Sequence, residues 1–232
     1  MYYVKKAVYK YNELSDKAKQ VANEKIFYDN QEYHDYADIV TLAVEAGEAI
    51  GIAIDHNKNG SPVVEYDIYG TGLRYAGTYT YMPDALQNLK AIGYGSLSEI
   101  VKIVNTLEAA QKTVDFCFNS KITFFGQCQH SRNMEFENYY EDEDEADITD
   151  DAWPAAKSNI EAALRRFADY IYSEIMAEYE YRNSDKTVAE FFECGDYQFY
   201  ENGDVTEVNA SDIINDSGIT LPESSPANVT KT

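Results

Sequence analysis

Cysteine is scarce in this chain: Cys117, Cys128 and Cys194 are widely spaced, form no CxxC pair and are odd in number. That argues against a disulfide framework and fits a reducing compartment. Histidine is equally rare, and His34, His56 and His130 stand in neither HxH nor HExxH spacing, so a histidine-built zinc centre has no ligand set. Glycine never falls into a P-loop, a dinucleotide fingerprint or a GxSxG elbow. Gly70-Thr-Gly72 is too short for any of these and reads as a turn between strands. No run of about 20 apolar residues could span a bilayer, and nothing near Met1 resembles a signal peptide. Positive charge is the largest deficit, with 19 basic residues against 41 acidic ones and a net charge of −22. Affinity for a phosphate backbone comes from Lys and Arg displacing counterions, so such a chain repels nucleic acid, and it repels anionic lipid for the same reason. No direct nucleic-acid partner, no membrane partner, no cofactor and no metal is expected.

Tyrosine is plentiful, with 21 copies against 10 phenylalanines and 1 tryptophan. Aromatic rings suit the pleated surface of strands, and a tyrosine with a wet hydroxyl also suits protein contacts. The hydrophobic share of 44% is that of a globular chain. Charge is uneven along it: 11 basic and 16 acidic residues in 1–116 give −5, whereas 8 basic and 25 acidic residues in 117–232 give −17. The densest part is Glu141, Asp142, Glu143, Asp144, Glu145, Asp147, Asp150 and Asp151. It lacks the glycine and the alternating ligands of a calcium loop. It reads as a solvated loop, or as an electrostatic decoy that offers a basic protein surface the charge density of phosphates. On the second reading these eight carboxylates are the partner-binding residues.

Periodicity gives the elements. Residues 2–9 read as a strand, and Ser15 caps a helix running to about Tyr28. Ile39, Leu42, Ala43, Ala46 and Ile50 recur at helical spacing, predicting a helix from Tyr36 to Ile50. Strands follow over Ile52–Asp55, Val63–Tyr69 and Leu73–Tyr81, and in the last of these Tyr75, Gly77, Tyr79 and Tyr81 share a face. A short helix from Pro83 or Asp84 to Lys90 and a longer one ending near Phe116 precede strands at 121–127 and 134–140. The longest helix runs from Ala155 to Tyr181, Ser184 caps another through Phe192, and a hairpin turns at Glu201-Asn-Gly203. The expected fold is α+β: an antiparallel sheet packed against several helices, with a long helix near the C-terminal half. Residues 1–209 are expected to form a single domain and 210–232, rich in Ser, Pro, Asn and Asp, a disordered tail.

At 100° per residue Ile160, Leu164, Phe167, Ile171 and Ile175 make one apolar stripe on the long helix. Glu178 falls on the stripe's centre and Glu174 near its edge. Glu178 is then either wet at the emerging helix end or paired with Arg132, His130 or Arg74. Arg165, four residues from both Glu161 and Asp169, suits ordinary surface ion pairs. Cys128 and His130 share a strand face by alternation, a weak pattern for a nucleophile and its base.

Several stretches in order resemble one family of phage proteins. They are Tyr11-Asn-Glu-Leu-Ser-Asp-Lys-Ala-Lys-Gln-Val-Ala22, Tyr69-Gly-Thr-Gly-Leu-Arg-Tyr-Ala-Gly77, His130-Ser-Arg-Asn-Met134, Phe167-Ala-Asp-Tyr-Ile-Tyr172, Glu178-Tyr-Glu-Tyr-Arg-Asn-Ser-Asp185 and Tyr197-Gln-Phe-Tyr-Glu-Asn-Gly203. The family is often labelled "antitoxin of toxin–antitoxin stability system". The resemblance implies phage origin, hence residence in the host cytoplasm, and carries no catalytic residues. Combined with the charge, it leads to the expectation of a non-enzymatic inhibitor. Its partner would be a host protein with a basic surface, a DNA-handling defence factor of restriction or CRISPR type met through DNA mimicry. The alternatives are an antitoxin-like protein that neutralises one toxin by binding, and an enzyme of unassigned chemistry. A homodimer is compatible with all three.

Overall fold

The computed structural model describes residues 3–27, 36–70, 72–95, 97–114, 117–140, 152–206 and 227–231. The acidic run 141–151 and residues 210–226 of the expected tail lie outside these. In chain order the elements begin with β1 (Tyr3–Ala7), α1 (Asp16–Ala22), α2 (Ala37–Ala49), β2 (Ile52–Ile54) and β3 (Val64–Asp67). Then come β4 (Gly72–Tyr75), β5 (Gly77–Thr80), α3 (Ala85–Ala91), α4 (Ser98–Gln111), β6 (Phe118–Phe124) and β7 (Met134–Tyr140). The last are α5 (Ala152–Arg182), α6 (Asp185–Cys194) and β8 (Ala227–Lys231). The fold is α+β with an antiparallel sheet and one long helix, as the periodicities predict.

The chain forms two compact units, Asp35–Tyr179 and the combined ends Met1–His34 with Glu180–Thr232. In the larger unit the main sheet has the order β2-β5-β6-β7, antiparallel throughout. β6 and β7 pair from Phe118↔Tyr140 to Phe124↔Met134. The stripe on α5 is fully buried at Ile160, Leu164, Phe167, Ile171 and Ile175. Burying each such side chain contributes about 1.5–3 kcal/mol, so this one face anchors the unit. Tyr75 meets Phe167 edge-on at 5.8 Å and its hydroxyl donates to the Leu164 carbonyl at 3.2 Å. Tyr75 and Tyr79 are thus core residues and offer no contact face.

The single strand expected over Leu73–Tyr81 is two. It breaks at Ala76, whose N–H donates to Val63 O at 3.1 Å while its carbonyl accepts from Asp55 N at 2.9 Å. The chain there leaves the β3–β4 ladder and joins β2 and β6. Gly77 permits the crossing, because a Cβ at that position would lie 2.1 Å from the Ala53 carbonyl oxygen. Of the strands expected in 63–81, only β5 therefore shares a sheet with 118–140, and β3–β4 stand as a separate hairpin.

The smaller unit has its own core of Tyr11, Leu14, Ala18, Ala22, Phe27, Val188, Phe192 and Phe199. Phe192 stacks on Tyr11 at 4.7 Å and meets Phe199 edge-on at 5.1 Å. Ser15 and Ser184 cap α1 and α6 by accepting from Ala18 N and Thr187 N, each at 3.3 Å. α1 ends earlier than expected and continues as a π-helical turn over Asn23–Phe27. Phe199 bridges to Val205 across the Glu201-Asn-Gly203 turn and to Tyr9 on its other side. β8, within the stretch expected to be a tail, pairs antiparallel with β1.

Candidate functional site

The eight carboxylates of the acidic run lie outside the described residues. Of the other sequence candidates, Arg74, Cys128, His130 and Arg132 fall on one structural hub. Glu65 and Arg74 face each other across β3 and β4. The register alone brings the guanidinium to the carboxylate, with Nε at 3.0 Å and Nη2 at 2.6 Å from the same oxygen. Arg74 is buried, and its Nη1 donates to the carbonyls of Phe125, Gly126 and Cys128 at 2.7, 3.0 and 3.1 Å. The same guanidinium sits 4.3 Å over the ring of Phe124. Arg74 thus shapes the β6–β7 connection and has Glu65, not Glu178, as its carboxylate. Glu178 itself is half-exposed.

Cys128 and His130 serve the same connection. The Cys128 carbonyl accepts from Arg74, from the Asn133 side chain at 2.7 Å and from His130 N at 3.0 Å. His130 Nδ1 accepts from Arg132 N at 3.0 Å and caps the tight turn Ser131–Asn133. The His130 ring is engaged in holding the loop, whereas Cys128 takes part through its backbone and its thiol is exposed. Arg165 does more than the expected surface pairing: besides Glu161 at 3.8 Å it reaches Met134 O at 3.2 Å and lies 4.5 Å over Phe136. It ties α5 to β7.

A groove of about 270 Å³ opens on the larger unit, lined by Ile39, Leu42, Ala43 and Ala46 of α2, Tyr94 and Leu97 of the α3–α4 connection, and Tyr170, Ile171 and Glu174 of α5. The α2 residues are the predicted stripe. Ala43 and Ala46 are too small to fill the space between helices, and Leu42 is left 48% exposed. The connection is fixed by Tyr94 N donating to Leu89 O at 2.9 Å and Leu97 N to Tyr94 O at 3.1 Å. Gly93, at φ +88°, lets the chain turn off the end of α3 into that position.

The groove has an apolar floor and a negative rim. The Tyr170 phenol is pushed up to about 12, first by burial, then by the Glu174 carboxylate and by Tyr94. Burial and then Glu45, exposed on α2, raise the Tyr94 phenol as well. Burial is the larger cause of both shifts, and the Glu174 and Glu45 carboxylates add negative charge near the two hydroxyls. The smaller unit carries a larger hollow of about 430 Å³ lined by Tyr11, Asn12, Asp16, Lys19, Gln20, Asn23, Glu24 and Asp185. Its lining is mainly polar, and its polar groups bond one another, as in Tyr11 to Asn23 at 3.0 Å and Gln20 to Glu24 at 2.8 Å.

Among the described residues no three His, Cys, Asp or Glu side chains converge to hold a metal ion. No described helix is long and apolar enough to cross a membrane. Among the described residues no Asp or Glu is buried, and Arg74 is the one buried charge. The negative excess of the described chain therefore faces solvent. Sequence reasoning found the α2 stripe and put Glu174 at the edge of the α5 stripe, but missed Tyr94, Leu97, Tyr170 and Glu45. The available signal was a helix face on which the large residues Ile39 and Leu42 stand beside the small Ala43 and Ala46.

The profile of one protein family matches residues 32–185, more than half of the chain: a domain of unknown function, DUF8835. The match covers the whole larger unit and every residue of the groove. No curated protein and no solved structure matches the chain.

Proposed function

Because the chain belongs to the DUF8835 family, whose description assigns no activity, we propose its function from its own surface: a phage-encoded, non-enzymatic protein of the host cytoplasm that binds and blocks a basic host factor. The factor is a DNA-handling defence component of restriction or CRISPR type, and the means is imitation of the charge of DNA. The observation that carries this is the placement of the charge. The chain carries a net charge of −22, and among the described residues no carboxylate is buried, so these charges are displayed rather than neutralised inside. A basic groove built for DNA is drawn to such a surface by long-range steering.

The test is retention of host proteins on the immobilised full chain at about 0.1 M and about 1 M salt, where the screening length falls from about 10 to 3 Å. Retained proteins are then assayed for DNA binding with and without the free chain. Capture that disappears at high salt, with DNA binding inhibited, supports the proposal. Capture of a factor whose DNA binding is untouched would overturn it. The apolar floor of the groove favours a second reading, an antitoxin-like partner of one toxin; retention that persists at high salt is its signature.

A further inference from the structure

We infer that the groove between α2, the α3–α4 connection and α5 takes a single lysine or arginine side chain from a basic segment of the partner protein. The inference rests on the proposed binding of a basic partner and names the place where that partner is gripped.

Size comes first. At about 270 Å³ the groove is smaller than the roughly 300–1,000 Å³ typical of small-molecule sites, and it suits one long side chain. Chemistry comes second. Ile39, Leu42, Ala43, Ala46, Leu97 and Ile171 give a floor on which a methylene stem can lie. Two phenol rings and Glu174 stand around it, and no cation is among the lining residues. Lys102, paired with Glu99 at 2.5 Å, and Arg166 line a neighbouring hollow that shares Tyr170 with the groove. Among the described residues Glu174 makes no ion pair, and Glu45 adds a further negative charge near Tyr94. An apolar ligand would cover this floor but bring nothing to the carboxylates. A carboxylate ligand would be repelled by them. A cation on a flexible apolar stem satisfies both, with the aromatic faces adding cation–π attraction.

The full chain is titrated with short glycine–serine peptides that carry arginine, lysine, norleucine or glutamate at one central place, and read by two-dimensional NMR. The expected result is saturable shifts at Leu42, Tyr94, Leu97 and Tyr170 with the arginine and lysine peptides only. Glu174→Gln should weaken that binding about 3- to 5-fold, as loss of one exposed ion pair does. Asp55→Asn, which removes an exposed carboxylate outside the groove, should leave it unchanged. Equal binding of the norleucine peptide would overturn the inference, and so would equal weakening by both substitutions, since the peptide would then sense only the diffuse field. Butylammonium ion producing the same shifts with the same affinity would also overturn it, because a free amine rather than a peptide segment would suffice. Shifts absent from the groove would overturn it even if Glu174→Gln perturbed the fold. Where the groove fails but salt-sensitive capture of a DNA-binding factor persists, the wider proposal stands; where that capture fails too, both fall.

Discussion

Arg74 shows how one side chain can hold a whole connection. Its guanidinium serves Glu65 and three carbonyls of the β6–β7 loop at once. Lysine at this place keeps the charge and loses the planar fork. Arg74→Lys should therefore cost about 2 kcal/mol, the scale of charge-assisted hydrogen bonds left unmade. The measure is a lower urea midpoint at unchanged slope; an unchanged midpoint would mean that the loop holds its own shape. The buried tyrosines make a second prediction, in pH. The phenol of Tyr170 is raised to about 12, and burial lifts those of Tyr75 and Tyr79 further. A raised phenol means that the fold prefers the neutral form. The contribution is complete below the ordinary value of about 10 and is lost as pH climbs through the raised values. Stability should be level from neutral pH to about 10 and then fall steeply. Phenolate absorbance should rise in two steps, exposed tyrosines first and buried ones only on unfolding. One step near 10 with the fold intact would contradict the burial of Tyr75 and Tyr79.

Elements differ in how well the sequence announces them, and the difference is physical. The faces of α2 and α5 were readable because Ile39, Leu42, Ala43 and Ala46, and Ile160 through Ile175, repeat at the helical period over several turns. The break between β4 and β5 was not, because burial alternates through Tyr75, Gly77 and Tyr79 as it would in one strand. What divides them is a close approach of backbones, and Gly77 is its one trace in the sequence. Gly77→Ala should then cost about 3 kcal/mol or more, since the methyl would have to displace the Ala53 carbonyl. A thermal midpoint within about 2 °C of the parent would mean that the sheet yields there. Tyr94 and Leu97 were unreadable for another reason: they lie in a turn, where no period exists, and reach the groove only because α3 and α4 place them. The hub at Arg74 depends on strand register, which local pattern does not fix. The C-terminal stretch gives a further element-scale test. Among the residues whose burial is described, every buried hydrophobic one lies at or before Phe199. Truncation after Ala210 should accordingly move the melting temperature by no more than about 2 °C, although it removes the strand that pairs with β1. A larger drop would show that this pairing supports the smaller unit.

On the scale of the whole molecule the dominant quantity is charge, −22 in all and −17 in residues 117–232. Like charges at this density repel one another and lower the stability of the compact state, while they keep the chain soluble. Glu141, Asp142, Glu143, Asp144 and Glu145 are the densest part, and if they act as a decoy their charge works before docking. Replacing all five with the matching amides should leave thermal stability unchanged or slightly higher, because exposed carboxylates add little to it and their mutual repulsion is relieved. Association with the basic factor should slow, while dissociation changes little, since charges at the rim of an interface act on encounter. Raising salt on the parent should reproduce the slower association of the variant, because screening removes the same long-range field. The decisive measurement is the association rate of both forms with the captured factor across a range of salt. Rates that coincide throughout would reject the decoy role of this run. Glu174→Gln would then be the informative variant: the groove grips one side chain at contact distance, so its loss should quicken dissociation and leave the salt dependence of association as it was.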